Sequence, residues 1–307
     1  MKRHTVSRNK IFHLAKTLTM LLCLAALLPA SSVYAEETDM APLHAASPLM
    51  NIAAEAAILY DIESNVILYE QNAKQRLAPA SLTKLLAVLT ACAHEGEAIR
   101  YTVGDEIDLV GSNSSTAYLR KSNVLSFEAI VDAVLLSSGN DATYTMAVNV
   151  ARSATGQALS DTEALIFFAA LMNETAYTIG CTDSQFVTVD GYPCADHYST
   201  AYDMLRIAIE ALNTPLVAKS ISRSRAYHVF YSGREVIWET TNLLLRKDSH
   251  YYYAYATGMK TGSTGDQYSL AASAEKDGSR RIAIVMNAPS DTDRFETIVR
   301  LFEAGWE

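Results

Sequence analysis

The sequence has no cysteine and histidine pairs at zinc-ligand spacing, no His-Glu-x-x-His and no complete glycine-rich phosphate loop. Structural zinc, zincin chemistry and P-loop nucleotide binding therefore have no sequence basis, and neither a metal nor a cofactor is expected. Four cysteines in 307 residues exclude a disulfide-dense scaffold, and thirteen glycines with seven prolines exclude a collagenous chain. Positive charge is also short. With 25 Lys and Arg against 34 Asp and Glu, the net charge is −9, the opposite of the basic footprint that nonspecific nucleic-acid binding needs. No apolar run reaches the ~20 residues that span a bilayer, and there is no internal repeat or low-complexity tract. What remains is a globular composition, half apolar and 19% charged.

The first 35 residues stand apart. Lys2, Arg3, Arg8, Lys10 and Lys16 have no acidic partner, and they precede the apolar stretch Leu18 to Leu28, Pro29 and the small-residue exit Val33-Tyr34-Ala35. This order reads as a secretory signal peptide over residues 1–35, cleaved after Ala35, and places the protein in the extracytoplasmic cell envelope, secreted or periplasmic. A retained membrane helix is the weaker alternative because the apolar run is short. Removing the leader carries the mature chain to about −14 by the residue counts. Cys23 leaves with it, and the preceding Met-Leu-Leu is a poor lipoprotein signal. Of the remaining three cysteines, Cys92 falls in an apolar helical run and reads as core. Cys181 and Cys194 flank a strand and turn, where they can either pair or stay free; an odd count leaves at least one free thiol.

Residues 36–50, with Pro42 and Pro48, read as a flexible lead-in to a single domain over 51–307. Ala53 to Tyr60 and Val66 to Glu70 surround a polar turn and predict a hairpin. Pro79 and Ser81 open a helical run over Leu82 to Ala93. Phe127, Ile130, Val131, Val134 and Leu135 fall on one helix face, and Ser137-Ser138-Gly139-Asn140 makes a tight loop before a second helix over Ala142 to Ala151. Further helices are expected over Asp161 to Tyr177 and Tyr202 to Leu212. Short strand-like runs return at Tyr227 to Tyr231, Tyr255 to Lys260, Tyr268 to Ala274 and Arg281 to Asn287. A last helix, capped by Ser290-Asp291, places Phe295, Ile298, Val299 and Phe302 on one face, to pack on the sheet rather than on a membrane. The expected fold is α/β (α+β): one antiparallel sheet completed by both chain ends, flanked by helices, with a helical lobe over roughly 95–225 inserted.

Chemistry concentrates in three motifs. In Ser81-Leu82-Thr83-Lys84, positions three apart share a helix face, so a neutral Lys84 amine can take the Ser81 hydroxyl proton. The unsatisfied N–H groups at the helix start can hold an oxyanion. Ser-x-x-Lys also occurs at Ser7 to Lys10 and Ser273 to Lys276, but in the leader and at the exit of a strand. Ser138-Gly139-Asn140 lies in a loop that can aim two polar side chains inward. Lys260-Thr261-Gly262 ends a strand and supplies a cation, a hydroxyl and a close backbone approach.

Taken together and in this order, the motifs resemble those of the penicillin-recognising serine enzymes, and more narrowly the D-alanyl-D-alanine carboxypeptidases among the low-molecular-mass penicillin-binding proteins. The resemblance runs from about Ala53 to Trp306 and also takes in Val103-Gly104-Asp105-Glu106-Ile107, His197-Tyr198-Ser199-Thr200-Ala201 and Thr241-Asn242-Leu243-Leu244. It implies a β-lactamase/transpeptidase-like fold and a serine acyl-transfer cycle on peptidoglycan pentapeptide stems, with β-lactam antibiotics as covalent inhibitors. Ser81 would be the nucleophile, Lys84 the base, and Ser138 the relay to the leaving amine. Asn140 would bind substrate amide, and Lys260 and Thr261 the terminal carboxylate. Gly262 would let the substrate approach the strand, and the amides of Ser81 and Ser263 would form the oxyanion hole. Arg294 matches a place where such enzymes present an arginine to the carboxylate; otherwise it would be an exposed first-turn residue.

Three departures accompany the match. Ser263 stands where an aromatic or histidine is usual, Thr188-Val189-Asp190-Gly191-Tyr192 replaces the usual Asn-Pro-x-Gly-Leu, and no C-terminal β domain or amphipathic anchor is expected before Glu307. Two rival readings remain. A class A-like β-lactamase would need a Glu with Asn four residues on, which none of Glu163, Glu174, Glu210, Glu235 and Glu239 has. The other is a catalytically weak peptidoglycan-binding member.

Overall fold

Ala56–Asp61 (β1) is buried at every position, so both faces of the strand must be covered; its hairpin partner Val66–Gln71 (β2) is only partly buried and forms a sheet edge. This computed structural model describes residues 52–94 and 100–306. The leader, its cleavage after Ala35 and the lead-in over 36–50 lie outside the described residues. The short pair Tyr101–Thr102 (β3) and Val124–Leu125 (β4) is separate from the main sheet. The chain's later part supplies the rest: Ala256–Thr264 (β7), Gln267–Lys276 (β8) and Ser279–Ala288 (β9) give the antiparallel order β2-β1-β9-β8-β7. Ile58 pairs with Ile284, joining the two ends of the fold.

Side chains alternate across this sheet. Ala57, Leu59, Leu270, Ala272, Ala283 and Val285 form one apolar face and pack with Phe295, Ile298, Leu301 and Phe302 of the last helix, Asp291–Trp306. The Ser290 hydroxyl caps that helix by accepting from Asp293 N at 3.1 Å. Val299, expected on the same stripe, is only partly buried at its margin. Tyr251 and Tyr253 stack on Phe295 and Phe302, so these tyrosines pack against the helix.

Between β2 and β7 the helices are Thr83–His94 (α1), Phe127–Leu135 (α2), Asn140–Thr155 (α3), Asp161–Thr178 (α4), Ala201–Asn213 (α5) and Pro215–Ile221 (α6); Asp291–Trp306 is α7. The expected antiparallel sheet flanked by helices is present. Several boundaries differ. The helix expected from Ala142 begins at Asn140, and the two-turn α6 was too short to show a periodicity. The strand expected over Tyr227 to Tyr231 is Arg225–Val229 (β5), which pairs with Glu235–Glu239 (β6) in a separate hairpin. Only Ala226 and Trp238 are buried on its inner side, so alternation marked a strand without marking its sheet. The hairpin is held by Asp132 of α2, a buried carboxylate that accepts from Ser220 Oγ at 2.6 Å, His228 Nε2 at 2.8 Å and Arg223 Nη1. Cys92, Cys181 and Cys194 are all free: the Cys181 thiol is buried and donates to the Asp203 carbonyl at 3.5 Å, while Cys194 is exposed. Cys92 is only partly buried.

Two contacts dock the segment before α5 onto the start of α1. The His197 ring is buried, and its Nδ1 accepts from the backbone N–H groups of Val187 at 3.0 Å and Thr188 at 3.2 Å. Nδ1 is thus unprotonated, so Nε2 carries the hydrogen and donates to Thr83 Oγ1 at 3.0 Å. Gly191 has φ +86°, and a Cβ there would sit 1.9 Å from the Ala80 carbonyl oxygen. Its missing side chain is what lets the two segments touch.

Burial pushes the His197 imidazole down to about 4. Because the unfolded chain takes up this proton first, the contribution is complete above about pH 6.5 and is lost as pH falls towards 4, by ~3 kcal/mol. Urea titrations from pH 7 to 4 should show that loss, and His197→Gln should flatten it. Gly191→Ala should cost on the order of 3 kcal/mol or more, from both backbone conformation and overlap. Gly156→Ala, also at positive φ but with nothing within 4 Å of the added Cβ, should cost only about 1–2 kcal/mol. Equal losses in the two variants would show that overlap at Gly191 contributes nothing.

Candidate active site

Ser81 lies in a 3-10 turn, Ala80–Leu82, immediately before α1, rather than on the α-helix itself. Ala80 is at φ +50°, a conformation L-residues rarely adopt, held by the Gly191 contact beside it. Lys84 is in the first turn of α1, and its Nζ lies 2.8 Å from Ser81 Oγ and donates to the Asp190 carbonyl oxygen at 2.9 Å. Its side chain is fully buried. That burial pushes Lys84 down to about 8, against the opposing pull of the Asp190 and Asp141 carboxylates. Roughly a tenth of the amine is then neutral at pH 7 and can accept a proton.

The second wall is the turn between α2 and α3. Ser138 sits at φ +57° and its hydroxyl accepts from Lys260 Nζ at 2.9 Å. The turn is pinned from outside: Asp141 accepts from Ala117 N at 2.7 Å and Leu119 N at 2.8 Å, and Asn140 N donates to the Ser115 carbonyl at 2.8 Å. Asn140 Nδ2 donates to Asp190 Oδ2 at 2.5 Å.

The third wall is β7, the edge strand of the sheet. A Cβ at Gly262 would lie 3.0 Å from the Pro79 carbonyl oxygen and 3.2 Å from Leu82 N, so the strand passes directly against the Ser81 turn. Lys260 is fully buried and also donates to the Thr261 carbonyl at 2.7 Å. Its amine is held well below the usual lysine range, first by burial and then by the charges of Lys84 and Arg294. Thr261 Oγ1 is 2.6 Å from Thr241 Oγ1, and Ser263 is exposed.

Arg294 is buried, which corrects the reading of it as an exposed first-turn residue. Its Nη1 donates to the Gly262 carbonyl and Ser263 Oγ, both at 3.0 Å, and to the Ser269 carbonyl at 3.3 Å, while Nη2 pairs with Asp291. The guanidinium therefore braces the strand from behind. The structure links Ser81, Lys84, Asn140 and Asp190 by hydrogen bonds, joins Ser138 to Lys260, and sets Gly262 against the Ser81 turn, with Arg294 of α7 against the end of β7. Sequence reasoning missed Asp190 and Thr241 as site residues; Asp190 was visible only as the residue before a glycine in a segment that departs from the usual pattern. Among the described residues, no group of three or more His, Cys, Asp or Glu side chains could hold a metal ion.

The family described as D-alanyl-D-alanine carboxypeptidase matches residues 42–290. Among curated proteins, the chain is 27% identical over 255 residues to D-alanyl-D-alanine carboxypeptidase DacF of Bacillus subtilis, covering 81% of this chain and 61% of that protein. It is 30% identical over 279 residues to DacA of Escherichia coli, covering 88% and 63%. The chain thus spans about three fifths of the length of these relatives. The fold is similar to that of the Streptomyces K15 DD-transpeptidase, with TM-score 0.76 and 24% identity over 84% of this chain and 98% of that one. It is also similar to penicillin-binding protein D2 of Listeria monocytogenes in its ampicillin-bound form, with TM-score 0.68 and 24% identity over 85% and 100%. With residues 42–290 matched, and with Ser81 and the buried Lys84 and Lys260 brought to one site from two distant segments, the chain belongs to the D-alanyl-D-alanine carboxypeptidase family.

Proposed function

We propose that the protein is a serine-type D-Ala-D-Ala carboxypeptidase, exported by its leader and acting on the pentapeptide stems of peptidoglycan through an acyl-enzyme on Ser81. The observation that carries this reading is the fully buried Lys84 amine 2.8 Å from Ser81 Oγ. Neutral Lys84 takes the Ser81 proton as Oγ attacks the carbonyl carbon between the last two D-alanines. The developing oxyanion is met by the amides of Ser81 and Ser263. Collapse breaks the C–N bond, and the leaving amine of D-alanine receives its proton by way of the Ser138 hydroxyl, which accepts from Lys260 Nζ at 2.9 Å. Water then attacks the ester, its proton passing to the base, and frees both the shortened stem and Ser81.

Binding follows from the same walls. The outer edge of β7 offers main-chain groups to an extended peptide, as in strand addition. The Thr261 and Thr241 hydroxyls meet the terminal carboxylate in the field of Lys260, while Asn140 meets a substrate amide. Arg294 acts from behind the strand, through its field and by fixing the Gly262 and Ser263 backbone. β-Lactams present a reactive amide and carboxylate in the same relation, so they acylate Ser81. No helix of the described residues is long and apolar enough to cross a membrane.

Mature protein incubated with a fluorescent penicillin should be labelled, and Ser81→Ala should not. Acylation should rise about tenfold per pH unit below 8 and level off above it, because only the deprotonated amine of Lys84 is the base. Lys84→Arg, charged throughout this range, should lose roughly 100- to 10,000-fold. Diacetyl-L-Lys-D-Ala-D-Ala should release D-alanine. Rapid, sustained penicillin hydrolysis would identify a β-lactamase instead, and labelling without D-alanine release would identify the weak binder.

A further inference from the structure

Asp190 touches both halves of the site through different atoms. Its main-chain oxygen accepts from Lys84 Nζ at 2.9 Å, while its side chain, almost wholly buried, accepts from Asn140 Nδ2 at 2.5 Å and from Tyr192 N at 3.0 Å. The two ends of a carboxamide are nearly the same size, and only hydrogen-bond partners decide which way it faces. A carboxylate only accepts, so it holds Nδ2 towards itself and fixes the rotation of the whole Asn140 amide. The Asn140 backbone is anchored separately, to Ser115, and leaves the side-chain rotation free. Gly191 then locks the loop that carries Asp190 against the Ser81 turn.

We propose that Asp190 is a positioning residue that sets the face Asn140 presents to the ligand, so that preference for an acylamino group beside the scissile bond depends on a carboxylate that does not contact that ligand. This rests on the serine acyl-transfer reading above. It assigns a task to the segment that departs most from the family pattern. It also separates the two effects of the residue: the carbonyl orients Lys84, and the carboxylate orients Asn140.

The test compares two probes in one protein. Benzylpenicillin carries an acylamino side chain, whereas 6-aminopenicillanic acid carries a bare amine on the same ring system. Asp190→Asn keeps volume and main chain but can donate as well as accept, which releases the Asn140 amide to flip. The ratio of acylation rates, benzylpenicillin over 6-aminopenicillanic acid, should fall roughly tenfold, the worth of one well-placed hydrogen bond. Asn140→Ala should collapse the ratio similarly, and the double variant should lose no more than either alone. In Asp190→Asn the acid limb of the acylation profile should also move to lower pH, since the removed charge favours protonated Lys84. A loss common to both probes, with the ratio unmoved, would overturn the proposal as a purely structural effect. Wild-type protein gives an independent readout: one Asn140 side-chain proton should be downfield and slow to exchange in a 1H–15N spectrum, and ordinary exposed-amide behaviour would overturn the proposal even if the variant fails to fold. Failure of wild type to be acylated at all would instead defeat the acyl-transfer reading.

Discussion

Two lysine amines are held out of water in one cleft, and the rest of the site is arranged around that constraint. Desolvation disfavours each ammonium, and the nearness of Lys84 and Lys260 disfavours both being charged together. Packing elsewhere must offset that cost: the sheet with its last helix on one side, and the start of α1 on the other. The buried carboxylates answer it from within. Asp190 and Asp141 pull Lys84 back towards protonation, and the balance leaves it titrating at about 8. A base at that point is neither permanently charged nor too weak to take a hydroxyl proton.

The three motifs and most elements were legible because each is a local pattern. A serine three residues before a lysine, a tight interhelical turn and a strand ending in Lys-Thr-Gly declare their geometry within a few positions. The final helix declared itself through Phe295, Ile298 and Phe302. What stayed hidden depends on meetings between distant segments. Nothing near Asp190 in sequence announces that its carboxylate will reach Asn140, and nothing near Thr241 announces Thr261. The strand at Tyr227 was readable from alternation, but its partner was not, since pairing is a property of two segments. Arg294 stood out only by its place before Phe295-Glu296, and its burial depends on two carbonyl oxygens and the Ser263 hydroxyl converging on it from β7 and β8.

The departures from the family pattern fall at contacts that support one another. The small Ser263 hydroxyl accepts from Arg294, which also holds the Gly262 carbonyl, so the altered residue is tied to the brace of the strand. Likewise, Gly191 keeps the loop against Ala80 while the residue before it reaches Lys84 and Asn140. These segments therefore bear on both ends of the site, the strand edge through Arg294 and the Ser81 turn through Gly191 and Asp190.

The pairing of Ile58 with Ile284 carries a consequence of another kind. The first strand of the sheet is made long before its central neighbour, with the helical segments lying between them in the chain. Until β9 arrives, the hairpin of β1 and β2 has an apolar strand edge with nothing to pair with, and closing so long a loop is slow. The chain must therefore keep that edge from self-association until β9 is made. Assembly of the sheet, and with it the site beside β7, therefore waits on a strand far along the chain from the one it pairs with.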